Sequence, residues 1–325
     1  MLDACLQNPN TSINSASSAR PVRTAIVLVP TCNAGSQWTA FLSALLSQHS
    51  RPAVCVVIDS ESIDGTVVAA EAAGLTVQRI KRAAFNHGET RQQAIDRFAV
   101  AADFVVFLTQ DAILADPQSL NLLLSAFDDN AVAAAYGRQL PHDNATVLAA
   151  HARLFNYPDK CHTSQLVDVP VRGIKTCFLS NSFAAYRVQA LQEVGGFAKD
   201  VILGEDTHLA ARLLQAGYAI RYHSGAMVYH SHNYSVVEEF QRYFDIGVFH
   251  AQQSPLMLAF GAAGHEGIKF VRSEVAYLLR HAPWRLPEAI CRNCLKALAY
   301  RLGKKQASLP IAMRRFMSMS KGYWA

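Results

Sequence analysis

No apolar run in this sequence approaches the roughly eighteen residues that a membrane-spanning helix requires, and its start lacks a charged-then-apolar signal pattern. These absences predict a chain that is neither secreted nor integral to a membrane. There is also no G-x-G-x-x-G after a strand and no G-x-x-x-x-G-K-[ST], which excludes dinucleotide-dependent dehydrogenases and P-loop enzymes. A sugar nucleotidyltransferase should carry Arg and Lys in a glycine-rich loop near the start, and Pro30 to Ser36 has neither. The seven cysteines are odd in number and scattered, so no disulfide framework is expected and a reducing, cytoplasmic compartment is the simpler reading. Cys291 and Cys294 form a C-x-x-C pair, but no second pair or histidine cluster follows at zinc-like spacing, and a structural role is expected.

What is present supports a large core: 325 residues, 51% of them hydrophobic. Residues 1–22, rich in Ser, Asn and Ala, read as a disordered leader outside the fold. The net charge of +5 is uneven. From His265 to the end there are 12 Lys and Arg against 3 Asp and Glu, or +9, so the preceding 264 residues carry −4. In this basic stretch the cations alternate with Tyr277, Leu278, Trp284, Phe316, Tyr323 and Trp324, a mixture that suits helices lying on an anionic membrane surface. A solvated helical face is the competing reading; no nucleic-acid motif accompanies the charge, so nucleic acid is not expected as a partner.

The order of elements predicts a parallel α/β sheet. Ala25–Val29 and Val54–Ile58 are short apolar runs separated by helical spacing over Trp38–Leu46, and Leu75–Ile80 adds a third strand. Phe104–Leu108 ends abruptly in Thr109, Gln110 and Asp111, which reads as a buried strand delivering a carboxylate to the sheet edge where α/β proteins bind ligands. A carboxylate there can hold Mg²⁺ or Mn²⁺ against phosphate oxygens, although a turn that merely ends a strand is the plainer account. Asp59, at the end of the second strand, is placed to accept hydrogen bonds from a ribose or base. Gly88 permits close approach at a helix start, and Arg91 one turn on is in reach of a phosphate.

Four of these segments carry a resemblance. Pro30-Thr31-x-Asn33, Asp59-Ser60-x-Ser62-x-Asp64-Gly65-Thr66, Asn86-His87-Gly88-x-x-Arg91 and Leu108-Thr109-Gln110-Asp111-Ala112 resemble the nucleotide-sugar half of the inverting, GT-A-fold family-2 glycosyltransferases. The wording is similar to that of bacterial dTDP-rhamnosyltransferases of surface polysaccharide assembly. The resemblance covers about residues 23–235. It implies a Rossmann-like GT-A domain there, with a nucleotide-sugar half over 23–115 and an acceptor half over 116–235, followed by a basic helical extension over 236–325. It also implies that Pro30, Thr31, Asn33, Asp59, Ser60, Asp64, Asn86, His87, Gly88, Arg91, Thr109 and Gln110 contact the donor, and that Asp111 is a metal ligand. One departure stands out: the family's D-x-D has Thr109 in place of its first aspartate.

Glu205 and Asp206 precede helical spacing at Leu209, Leu213 and Leu214, so both lie at a helix N-terminus, where the dipole favours ionised carboxylates. The resemblance makes Asp206 the catalytic base and Glu205 a neighbour orienting base or acceptor. His230 and His232, two apart on an expected strand, would share one face and replace the missing metal ligand. Arg138, Gln139 and His151 to Asp159 are expected to face the acceptor. The implied activity is inverting transfer, most simply of L-rhamnose from dTDP-L-rhamnose onto a glycan or lipid-linked saccharide. A UDP-hexose donor and a catalytically silent sugar-nucleotide-binding scaffold are the alternatives. Localisation is expected at the inner face of the cytoplasmic membrane.

Overall fold

The apolar run Ala25–Thr31 (β1) sends Ile26 and Leu28 to one face of a sheet and Ala25, Val27 and Val29 to the other, and all five are buried. Both faces are covered, which is why the sequence shows a continuous apolar run and no alternation. The computed structural model describes residues 23–50, 52–261 and 264–324; the expected leader over 1–22 lies outside them.

β1 is flanked in parallel by β2 (Val54–Asp59) and β4 (Phe104–Leu108), with β3 (Thr76–Arg79) outside β2. Three helices make the crossovers: α1 (Trp38–Leu46), α2 (Thr66–Ala72) and α3 (His87–Phe98). The second half adds β5 (Ile113–Leu114), β6 (Val132–Leu140), β7 (His162–Ser164), β8 (Phe183–Arg187) and β9 (Ala219–Tyr229). The strand order is β3-β2-β1-β4-β8-β6-β9-β5, with β7 on β9. β8 enters antiparallel between β4 and β6, so the strands of the two halves share one sheet. Helices α4 (Ser119–Ser125), α5 (Val147–Asn156), α6 (Val169–Arg172), α7 (Val188–Glu193) and α8 (Glu205–Gln215) surround this half.

From Val236 on, the described residues are helical: α9 (Val236–Gln252), α10 (Ser254–Leu258), α11 (Gly264–His281), α12 (Leu286–Lys304) and α13 (Ile311–Met317). These five α-helices form the helical extension. Their apolar residues join the core on one sheet face, where Phe244, Phe260, Ala299 and Trp324 belong to the same buried cluster as Leu28 and Phe107. Ser235 caps α9 in a reciprocal arrangement with Glu238.

β8 begins only at Phe183, after Asn181 has turned inward to hold carboxylates. α2 is capped by Gly65 in the left-handed region (φ 83), while Asp64 Oδ1 accepts from the Thr66 N–H at 3.2 Å.

α9 and α12 cross with backbones nearly touching. A Cβ at Gly303 would lie 2.0 Å from Phe244 O, and one at Gly247 would lie 2.2 Å from Tyr300 O. Only paired glycines permit this, so Gly303→Ala is expected to cost roughly 3 kcal/mol, the upper end for overpacking, because backbone is the obstacle. Urea denaturation of the variant against wild type measures it; an unchanged midpoint would show that the helices part without cost.

Candidate active site

The polar loops after β1 and β2 are stitched to each other. Thr31 Oγ1 donates to Asp59 Oδ1 at 3.1 Å, and Asp59 Oδ2 accepts the Ser62 N–H at 2.9 Å. Asn33, itself at positive φ (49), accepts from Ile63 N at 2.9 Å while its own N–H donates to Ser62 Oγ at 2.7 Å. Asp64 Oδ2 takes the Gly35 N–H at 2.9 Å, and the Thr66 hydroxyl takes that of Ala34 at 2.9 Å. Gln110, just past the end of β4, clamps the first loop, accepting from Cys32 N at 2.7 Å and donating to Cys32 O at 3.2 Å. Pro30 sits within β1 opposite Ile58. Much of the expected donor-contact set therefore builds the walls of a cleft.

A recess of about 660 Å³ opens at this edge, lined by Asp59, Ser62, Ile63, Gly65, Arg79 and Lys81 among others. Its volume suits a nucleotide. Ile63 is 91% exposed, an apolar face left to solvent at the recess. The hydroxyl of Ser60 is buried without a hydrogen-bond partner among the described residues. Arg79 and Lys81 escaped the sequence reading; their position just past an edge strand was the available signal.

Asn86 and Arg91 are engaged within the fold, and Gly88 makes the expected close approach at a helix start. The Asn86 side chain caps α3, accepting from Gly88 N and Glu89 N at 2.9 Å each. Gly88 lets α3 approach a neighbouring loop: a Cβ there would lie 1.8 Å from Ala198 O. Arg91 is buried and pairs with Glu205 at 3.1 Å, with its Nη1 also donating to His87 O at 2.8 Å. It is spent on a carboxylate and not poised for phosphate. The His87 side chain remains exposed.

Asp111, His230 and His232 converge, with all their candidate ligand atoms within 4.8 Å of one another. Asp111 Oδ2 lies 3.4 Å from His230 Nε2 and 3.7 Å from His232 Nε2. The histidines sit beyond the end of β9, not on a strand as expected. Gln139 decides the tautomer of His230. Its Oε1 accepts from Arg153 Nη1, which can only donate, and so also accepts from His230 Nδ1 at 2.8 Å. Nε2 of the neutral ring then turns a lone pair toward the Asp111 carboxylate. Burial lowers the pKa of His230 and brings that of His232 down to about 4, keeping both rings neutral. Burial opposes ionisation of Asp111; what draws its pKa below the usual carboxylate range is a proton or positive charge on the His230 and His232 side, the place a cation would take. Two lone-pair donors facing an ionised carboxylate fit a divalent cation. Gln139, expected at the acceptor, is instead a buried support for His230.

Gln139 Nε2 donates to Ser180 Oγ at 3.0 Å, which carries the network to the acidic pair. Asn181 N–H donates to Asp206 Oδ2 at 3.1 Å and Asn181 Nδ2 to Glu205 Oε1 at 2.9 Å, with Tyr186 holding the amide oxygen. Asp206 Oδ1 takes the Thr207 N–H at 2.7 Å. Burial opposes ionisation of Glu205, but the charges of Arg91 and His87 and the Asn181 hydrogen bond together outweigh it and lower the pKa. Burial and the Glu205 charge push Asp206 up to about 6. The two adjacent acids are thus separated, one a fixed anion and one a base near neutrality. Asn181, the residue that touches both, was missed because a lone Asn in an apolar stretch carries no signal.

Removing Arg91 leaves Glu205 buried without its counter-charge, so Arg91→Met should cost about 3–5 kcal/mol in urea denaturation. The double variant Arg91→Met/Glu205→Gln is expected to regain most of that loss. Equal costs for single and double variants would deny the pair this role.

Comparison with known proteins agrees with this geometry. The description "Glycosyltransferase like family 2" matches residues 22–244. The chain is 47% identical over 299 residues to the O-antigen chain rhamnosyltransferase RfbN of Salmonella typhimurium, covering 92% of this chain and 95% of that protein. The same identity and coverage hold for the O-antigen chain rhamnosyltransferase WbaN of Salmonella anatum. Among solved structures, a mannosyltransferase of Pyrobaculum calidifontis, in complex with GDP-Man and Mn²⁺, superposes with a TM-score of 0.55 at 21% identity, covering 94% of this chain and 86% of that one. With the matched family spanning most of the sheet and its helices, this chain belongs to the family-2 glycosyltransferases and has their mixed α/β GT-A fold.

Proposed function

We propose that this chain transfers L-rhamnose from dTDP-L-rhamnose to a saccharide acceptor, glycan or lipid-linked, in bacterial O-antigen synthesis. The sugar and the process are carried over from the two relatives that match it along nearly its whole length. The observation that carries the reading is the continuous network from the Asp111–His230–His232 cluster through Gln139 and Ser180 to the segment that holds Asp206. It supports a site where a donor diphosphate and an acceptor hydroxyl meet.

In this reading the nucleoside lies in the recess beside Asp59 and Arg79. Asp111 and His230, with His232, would hold Mn²⁺ or Mg²⁺; the imidazole donors favour Mn²⁺. A cation bound there supplies positive charge against the diphosphate. Asp206 takes the proton of the acceptor hydroxyl, whose oxygen attacks the anomeric carbon as the bond to the diphosphate breaks, and one displacement inverts the configuration. Asn181 and Thr207 N–H groups hold the carboxylate in place, and Glu205 keeps it basic. Neither backbone contact exhausts the acceptor capacity of its oxygen.

Membrane contact belongs to the same proposal. Among the described residues no helix is long and apolar enough to cross a membrane. Trp284 (74%) and Phe316 (79%) are nevertheless strongly exposed on the basic C-terminal helices, which suits peripheral docking on anionic lipid at the inner face of the cytoplasmic membrane. Other residues of that expected surface are withdrawn from it: Leu278, Lys296 and Trp324 are buried.

Three measurements test the reading. Thermal melting with dTDP, UDP, GDP and ADP, with and without Mn²⁺, should show a metal-dependent gain for dTDP of about 2.7 kcal/mol at a hundred times its dissociation constant. Asp111→Asn should lose the metal-dependent part, and a gain with UDP alone would change the donor. With dTDP-rhamnose, transfer should rise with pH through about 6 as Asp206 ionises. Asp206→Asn should lower kcat at least about a hundredfold while dTDP binding persists; activity retained in that variant would remove Asp206 from the role. Flotation with anionic vesicles should fall in Trp284→Ala/Phe316→Ala, and an unbound wild type would end the membrane proposal.

A further inference from the structure

A second recess, of about 270 Å³, lies between α5 and the C-terminal helices and reaches the candidate metal cluster at His232 and Arg153. Its volume is near the lower limit of roughly 300 Å³ for small-ligand sites, room for a single ring and not a chain. Alanines of α5 (Ala149, Ala152) and the rings of Tyr234 and Phe270 give it apolar surface.

Its charged wall is balanced. Glu239 pairs with Arg292 at 3.0 Å and Lys296 at 3.1 Å, and Glu288 pairs with Arg285 at 2.6 Å and Arg292 at 2.9 Å. Arg292 also donates to Tyr234 O at 3.0 Å, which ties this wall to the segment carrying His232. Glu274 accepts from Asn293 at 2.6 Å. Every cation that the C-terminal helices contribute to the recess thus faces a carboxylate already. An anion entering it would meet three glutamates and have to displace an existing partner. A neutral, hydroxyl-rich ligand would meet alternating carboxylate acceptors and N–H donors, while its C–H faces met the rings.

We propose that this recess is an acceptor subsite and that it receives one uncharged sugar residue of the acceptor. This rests on the glycosyl-transfer reading above, and it adds the acceptor's chemical class and the residues that select it. The diphosphate of a lipid-linked acceptor would then lie outside the recess.

The test uses the full chain with dTDP and Mn²⁺ present, so that the donor cleft is occupied. Saturation-transfer NMR is recorded with methyl α- and β-glycosides of galactose, glucose, mannose and rhamnose, and with inorganic diphosphate as the anionic probe. At least one glycoside is expected to give signals that compete with the acceptor. Ala149→Phe, which fills the recess, should abolish them, and Glu288→Gln, on its rim, should weaken glycoside binding about tenfold. If Ala149→Phe fails to fold, Glu288→Gln and Arg285→Gln decide the matter alone. Three results overturn the proposal: no glycoside binds wild type, glycoside binding is unchanged in the variants, or diphosphate binds and Glu288→Gln removes that binding. Failure of dTDP to shift the melting midpoint would instead sink the glycosyl-transfer reading, and the glycoside result would stand separately.

Discussion

The buried contact between Arg91 and Glu205 is the constraint on which the site rests. A guanidinium from α3, a helix of the nucleotide-side half, is placed 3.1 Å from a carboxylate at the start of α8, in the second half. Isolated, either charge would be expensive to bury. Together, with Asn181 on the carboxylate and the Phe107 ring 5.6 Å from the Arg91 guanidinium, they are matched. The pair needs α3 close, which is why Gly88 cannot carry a side chain. It also fixes Glu205 as an anion beside Asp206, and that charge adds to burial in lifting the neighbouring carboxyl toward neutrality. One ion pair therefore joins the two halves and tunes the proposed base.

A second economy of design appears at the nucleotide edge. Motif residues that look like ligands on paper are mostly engaged with one another: Thr31 with Asp59, Asn33 with Ser62 and Ile63, Asp64 with Gly35 and Thr66. Each such bond replaces a loop entropy that a binding event would otherwise have to overcome. The recess at this edge is lined instead by what these loops leave outward, with Ile63, Arg79 and Lys81 prominent. Preorganisation, more than direct contact, is what the motif wording encodes.

This explains how much the sequence could disclose. Elements whose boundaries follow from local chemistry were legible: α1 over Trp38–Leu46 by periodicity, β4 ending at Leu108 where polarity switches, α8 starting at Glu205 after Gly204. So was Asp111, because a carboxylate after a buried strand has few places to go. Pairings across long separations were not. Gln139 reaches His230 across 91 positions and Asn181 reaches Glu205 across 24, and neither amide differs in sequence from a surface one. Arg91 looked like a phosphate ligand because its motif supplies the residue type and not its partner. The glycine pair that locks α9 to α12 was invisible for the same reason: single glycines in helical stretches acquire meaning only when the other helix is known.

The departure at Thr109 also takes on a physical sense. In a D-x-D arrangement both carboxylates come from one loop, and the cation site belongs to the nucleotide half alone. Here the candidate ligands come from the end of β4 and from the segment after β9, with His230 presented by Gln139 on β6. Exchanging a carboxylate for imidazoles lowers the negative charge that would face a diphosphate, and moves the ligand set toward donors suited to Mn²⁺. It also makes the cation site depend on the register of β6, β8 and β9, the strands that position Ser180, Asn181 and hence Asp206. The candidate cation site and Asp206 then share one framework, so a displacement of Gln139 would disturb both together.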